Sequence, residues 1–299
     1  SLRFNQEFVL QKKVAHPSVQ FVDSGNYIPT KGNVYIPIRT RNLKEVQIEI
    51  IEVPKENVHH FMSWQGIRNN SMDFLTKLGR PIYYETVKLP GAELADPTEW
   101  EQFGLDLTKK FVRNPGALYT LNLRFGPQNT YISCDAGFIE QELHSTLSEM
   151  QNRWNKSNDY YYYDYSMWRH HRNFKYTWQE ELNPCEMAYY WNLNRVSQTV
   201  MASDLGIIVK QGEGHAAVSV VDMHTLDQIS GAQVQLYDYQ GQVLGQAKSN
   251  KMGLASFALD RRATSLSVRH QSQEVMMDMH QNYANNLSSF PISGSERSK

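Results

Sequence analysis

Two histidine doublets, His59-His60 and His170-His171, are the residues whose type most directly invites chemistry, because imidazole is the commonest protein ligand for a transition metal. Adjacent residues face opposite sides of a strand and diverge by about 100° on a helix. A zinc site needs three or four converging groups, so neither doublet supplies one, and both read as partly exposed surface imidazoles. Paired carboxylates are the next candidates, as in glycoside hydrolysis, and Glu180-Glu181 or Asp96 with Glu99 qualify by residue type. Nothing in their spacing selects a pair held at a defined separation on rigid strands. The chain has no G-x-S-x-G elbow, H-E-x-x-H helix or phosphate loop, and Gly212-Glu-Gly-His215 is too short and precedes a strand. No catalytic residue, metal or cofactor is therefore assigned, and the chain is expected not to be an enzyme.

Cys134 and Cys185 are the only cysteines, and without a C-x-x-C pair they leave two readings, free thiols or one disulfide. Each lies at one edge of an aromatic-rich stretch. A bond between them would close a loop of roughly 50 residues and contribute about 3 to 4 kcal/mol. The disulfide is the expectation, against two buried free thiols.

Any such groups need elements to position them. From Asp204 onward, strand-like runs recur about every ten residues: Ile207–Lys210, Ala216–Met223, Ala232–Tyr239, Val243–Ala247, Leu254–Leu259, Leu266–His270 and Glu274–Met279. In the third run Val234 and Leu236 alternate with Gln233, Gln235 and Tyr237, the period of a half-buried strand, and Gly231 and Gly241 mark reversals on either side. Seven short strands at this spacing predict an antiparallel sandwich. The first half repeats the pattern over Arg3–Leu10, Val19–Val22, Val34–Thr40, Val46–Val53, Ile82–Leu89, Phe103–Leu107 and Leu118–Arg124, and Arg195–Ala202 closes it. Val58, Phe61 and Met62 after Pro54 predict a short helix, read as a connection and not as core.

The expected fold is all-β, two tandem antiparallel immunoglobulin-like sandwiches over residues 1–203 and 204–280, followed by a polar tail or linker over 281–299. An ordered insertion at about 140–194 interrupts the first sandwich and is crowded with rings, Tyr161, Tyr163, Trp168, Trp178 and Trp191 among them. Such rings pack on their own sandwich, form a protein interface or stack on sugars. These five residues are the interface candidates.

Composition bounds the partners. With 30 basic and 31 acidic side chains the net charge is -1, which argues against nucleic acid. No apolar run approaches the ~18 residues of a membrane span. The 17 tyrosines and 6 tryptophans, among many Asn, Gln and Ser, lean towards an extracytoplasmic β-protein. The opening at Ser1 without an initiator Met suggests an excised or processed piece of something longer.

The stretch Val200–Leu259 resembles the junction between two macroglobulin-type domains of bacterial alpha-2-macroglobulins. The resemblance is carried by Ser203-Asp204-Leu205-Gly206, Lys210, Val220-Val221-Asp222, Ser230-Gly231-Ala232-Gln233-Val234, Tyr239–Gly245 and Gly253-Leu254-Ala255-Ser256-Phe257. Val19-Gln20-Phe21, Tyr27-Ile28-Pro29, Ile36-Pro37-Ile38-Arg39 and Val46–Phe61 resemble the preceding domain. The resemblance implies a structural fragment of an envelope-associated, periplasmic or surface-exposed protease-trapping protein with endopeptidase inhibitor activity. It also implies lipoprotein anchoring through a missing N-terminal part. Its partners would be neighbouring macroglobulin domains and, for the whole parent, proteases; the fragment itself would not touch the membrane. The family's thioester joins Cys and Gln in C-x-E-Q; here Cys134 precedes Glu140-Gln141 at the wrong separation, and Cys185-Glu-Met-Ala lacks the Gln. The rival reading is a surface glycan-binding or adhesion module built on the Tyr/Trp-rich insertion.

Overall fold

The computed structural model describes residues 15–22, 25–65, 72–89, 98–134, 146–155, 177–192 and 195–279. The first half runs through β1 (Ser18–Phe21), β2 (Tyr27–Ile28), β3 (Tyr35–Arg41), β4 (Glu45–Val53), α1 (Lys55–Gln65), α2 (Met72–Leu78), β5 (Arg80–Lys88), β6 (Glu101–Asp106) and β7 (Leu118–Arg124). After α3 (Leu147–Asn155), α4 (Trp178–Glu181) and α5 (Met187–Asn192), β8 (Arg195–Ala202) completes it. A three-stranded sheet, β1-β3-β6, packs on a five-stranded one, β2-β8-β7-β4-β5. Their pairings are antiparallel except for β2, which lies parallel to β8. The predicted strand Arg3–Leu10 lies outside the described residues.

The five-stranded sheet separates two cores, which explains why β4 reads EVQIEIIEV and not as a clean alternation. Ile48 and Ile50 face the first core with Ile38, Leu121 and Leu123. Ile51 and Val53 face the second with Phe61, Leu75 and Met201. A strand buried on both faces loses its polar face, and the period-two signal goes with it. The two residues of β2 divide the same way, Tyr27 into one core and Ile28 into the other.

Helix α1 corrects one expectation. It is a core element and not merely a connection: Val58 is 4% and Phe61 0% exposed, and both join the second core beside Leu75 of α2. The physical reason is the second face of β4, whose Ile51 and Val53 need an apolar cover. Burying one Phe or Leu side chain there contributes about 1.5 to 3 kcal/mol. Helix α3 extends that cover, with Met150 and Trp154 buried and the Trp154 indole N–H donating to the Gly79 carbonyl at 2.9 Å. Gln151 Nε2 reaches the Pro81 carbonyl at 2.9 Å, so this part of the insertion lies against β5.

The second half contains β9 (Leu205–Gly212), β10 (His215–Asp222), β11 (Gln233–Tyr237), β12 (Val243–Lys248), β13 (Leu254–Ala258), β14 (Ser265–His270) and β15 (Gln273–Asp278). They form two antiparallel sheets, β13-β10-β9 and β12-β11-β14-β15. Val218 and Val220 from one sheet meet Val234, Leu236, Leu266 and Val275 from the other, all fully buried. Gly253 has φ +69°, and a Cβ there would stand 2.5 Å from the Val220 carbonyl oxygen. Only glycine lets the chain pass so close to β10.

Candidate functional site: the junction between the two sandwiches

The chain passes from β8 into β9 through Ser203 and Asp204 alone, so the last strand of one sandwich and the first of the other are nearly continuous. Both linking residues are buried, at 0% and 8% exposure. A carboxylate so placed must find hydrogen bonds to offset its lost hydration. Asp204 finds four donors, drawn from both halves. Its Oδ1 accepts the Thr30 backbone N–H at 2.8 Å and lies 3.1 Å from His224 Nε2. Its Oδ2 accepts the Thr30 hydroxyl and, at 3.0 Å, the Gln273 side-chain amide. Gln273 also accepts the Asp204 backbone N–H at 3.1 Å, closing a ring between β9 and β15. Burial pushes the Asp204 carboxyl up, but the two Thr30 bonds and His224 outweigh it and hold the group below the usual aspartate value. Burial lowers the Arg113 guanidinium, and the Asp204 charge opposes that shift.

Backbone bonds tie the same region on the first-sandwich side. Ser203 N–H donates to the Ile28 carbonyl at 3.0 Å, and Gly116 N–H to the Ala202 carbonyl at 2.8 Å. Gly116 has φ +82°, and a Cβ there would lie 3.1 Å from the Glu274 Cβ of β15. Met276 N–H points at Met201 Sδ, 3.3 Å away, and Tyr27 Oη is 3.5 Å from the Met276 carbonyl oxygen. The junction is thus a packed polar and apolar seam whose chemistry is adhesion between two sheets.

The candidate ligands, carboxylates and rings singled out from sequence do not meet around Asp204. His59 and His60 are exposed on α1; the His59 ring lies edge-on to Tyr237, 6.4 Å between centroids, and beside Gly241, so it borders the second sandwich. No group of three or more His, Cys, Asp or Glu is placed to hold a metal among the described residues. Glu180 caps α4: its Oε2 accepts the Thr177 N–H and hydroxyl, and those bonds hold its carboxyl below the usual value. Glu99 is exposed, and so is His215, the first residue of β10. Trp178 is 69% exposed. Trp191 sits on α5 with its side chain outside the described residues, and Asp96, Tyr161, Tyr163, Trp168, His170 and His171 lie outside them altogether. Cys134 and Cys185 are joined as a disulfide, with Cα atoms 5.7 Å apart.

Other rings of the insertion go inward. Tyr189 and Tyr190 on α5 are buried, donating to the Pro17 and Pro184 carbonyls, and the Tyr190 ring stands edge-on to Phe125 at 6.0 Å. Burial pushes the Tyr190 hydroxyl up to about 12. Sequence reasoning noticed Asp204 only as a boundary. Its partners Thr30 and Gln273 stand 174 and 69 positions away, and no local pattern carries that information.

Residues 202–297 match the family model of the bacterial alpha-2-macroglobulin MG3 domain, a range that begins at this junction. That match covers under half of the chain. The whole chain shares the all-β macroglobulin architecture of solved alpha-2-macroglobulins. It superposes on native Escherichia coli alpha-2-macroglobulin spanning domains NIE-MG1 with a TM-score of 0.55 at 18% identity, covering 90% of this chain and 99% of that one. Against the longer E. coli piece spanning MG0-NIE-MG1 the TM-score is 0.54 at 18% identity, covering 88% of this chain and 64% of that one. A Salmonella alpha-2-macroglobulin mutant gives 0.50 at 16% identity, with 95% of this chain set against 13% of that one. The chain therefore spans under two thirds of the MG0-NIE-MG1 piece and a small part of the Salmonella protein. At these identities the superpositions speak for fold alone, and the MG3 match speaks for residues 202–297. No curated protein matches the chain in sequence.

Proposed function

We propose that this chain is a rigid frame within a bacterial alpha-2-macroglobulin-like protein that entraps proteases, and that it contributes no catalytic or thioester chemistry of its own. The observation that supports this reading is the seam at Asp204, where a buried carboxylate spends its hydrogen bonds on joining two sandwiches. The domains divide at Ser203-Asp204, and the frame's immediate partners are neighbouring macroglobulin domains of the same parent. The parent's place is the cell envelope, periplasmic or surface-exposed and lipoprotein-anchored. No helix among the described residues is long and apolar enough to cross a membrane.

Incubating the parent protein with a protease tests the proposal. Trapping would block cleavage of a large protein substrate while a small peptide is still hydrolysed, and the isolated chain would affect neither. Inhibition or hydrolysis by the isolated chain would overturn the frame reading. The second reading, glycan binding through the Tyr/Trp-rich segment, is favoured by Trp178, a residue 69% exposed. Polysaccharide retention lost in Trp178→Ala at an unchanged melting temperature would establish it instead.

A further inference from the structure

The outward face of the β1-β3-β6 sheet carries two arginines with a tryptophan laid across them. Arg39 and Arg41 alternate along β3 and so share one face, and each guanidinium carbon lies 4.9 Å from the centroid of the Trp100 ring. Trp100 remains 37% exposed. A ring quadrupole attracts both cations, which brings two like charges side by side that would otherwise repel. Several cations elsewhere are matched with carboxylates, Lys110 with Glu85, Arg261 with Asp238 and Arg269 with Glu274. Arg39 and Arg41 have no carboxylate partner among the described residues. Their forks are held by neutral acceptors instead. Gln20 Oε1 takes Nε and Nη2 of Arg39 at 2.9 and 2.6 Å, and the His16 carbonyl takes Nε of Arg41 at 3.0 Å.

A guanidinium has five N–H donors, so each fork keeps donors to spare for an anion. On β6, a Cβ at Gly104 would meet none of the described residues within 4 Å, so none of them covers the sheet on that side. Tyr35, 45% exposed, adds a second ring to the same face of β3. Arg, Trp and Tyr are the side chains that most often dominate protein interfaces.

We propose that the Arg39–Trp100–Arg41 face binds an extended acidic peptide segment with carboxylates at alternate positions. Residues two apart on a strand stand about 6.6 Å apart, and alternate side chains of an extended peptide repeat at the same spacing. Each carboxylate then meets one guanidinium fork, the planar pairing that arginine favours. The two-residue repeat sets the specificity, because adjacent carboxylates on an extended chain face opposite sides. This site is separate from the junction and does not depend on the frame reading.

Fluorescence anisotropy with the whole chain tests it, using a labelled hexapeptide with glutamate at every second position and an isomer with its glutamates at the first, second and fifth positions, so that no two of them stand two apart. The alternating peptide should bind about threefold more tightly than the isomer, the effect of the second exposed ion pair that only it can make. Arg39→Gln with Arg41→Gln should abolish that preference at an unchanged melting temperature. Lys44→Gln, a cation that sits over Tyr131 instead, should keep it. Equal binding of the two isomers, or an undiminished preference in the double variant, would overturn the proposal. Stronger binding of a sulfated oligosaccharide or of anionic phospholipid vesicles than of the alternating peptide would overturn it as well.

Discussion

Thr30 gives both its backbone N–H and its hydroxyl to the one carboxylate of Asp204, 174 positions further along the chain. The two residues lie on opposite sides of the seam, one just past β2 and the other at the head of β9. Folding the first sandwich therefore presents a ready pair of donors, and folding the second presents the acceptor. Each half stabilises the other.

Asp204→Asn should cost about 1.5 to 3 kcal/mol, the range for hydrogen bonds to a charged group, because one amide oxygen cannot accept from all four donors. The same variant should lose part of the acid sensitivity. With its folded pKa held below the unfolded value of about 3.9, Asp204 contributes stability that is fully present above that value. That contribution falls away as the pH drops through the lower folded pKa. Urea melts of wild type and Asp204→Asn at several pH values should therefore differ most above about pH 4 and converge below it. A difference that persists unchanged into acid would show that the carboxylate's charge is not what matters.

Gly116→Ala should destabilise the seam by about 1 to 2 kcal/mol, since φ +82° is left-handed and the new methyl meets Glu274. Thermal melting checks it. Gly32→Ala shares the positive φ but has open space around it, so its smaller loss would isolate the contact with β15.

Leu236→Ala should cost about 2 to 5 kcal/mol, because the side chain is fully buried between the sheets of the second sandwich. Gln233→Ala on the exposed face of the same strand should change stability by less than about 0.5 kcal/mol. Chemical denaturation of both variants compares them directly. Similar losses would mean that β11 does not present one buried face.

Thiol titration of the unfolded, unreduced chain should find no free thiol, with Cys134 and Cys185 joined across 51 positions. Replacing both by serine should lower stability by about 3 to 4 kcal/mol in the chain-entropy account. Two titratable thiols in material kept under oxidising conditions would remove the bond.

Legibility in the sequence followed locality. The seven strands after Asp204 stood out because Val234 and Leu236 alternate with polar neighbours and because glycines such as Gly231 and Gly241, at φ +80° and +78°, mark the reversals. Strand β2 was missed since two residues carry no period, and its pairing with β8 links positions far apart in the chain. Helix α1 was found by its spacing, but its role was misjudged: whether Phe61 is core depends on the second face of β4, which no window of sequence contains. The seam was invisible for the same reason. Asp204 has an ordinary sequence context, and only the folded chain brings Thr30, His224 and Gln273 around it.

The two-residue passage from β8 to β9 leaves no slack between the sandwiches. A pull applied across them cannot be absorbed by a loop straightening out; it runs along the backbone into the ladders on either side. On one side stand the seven residue pairs of β7 with β8, on the other the eight of β9 with β10. Strands drawn along their own axis load all those rungs together in shear, whereas a force that peels a sheet breaks them one at a time. The link between the sandwiches is therefore loaded as two ladders in shear and not as a slack tether.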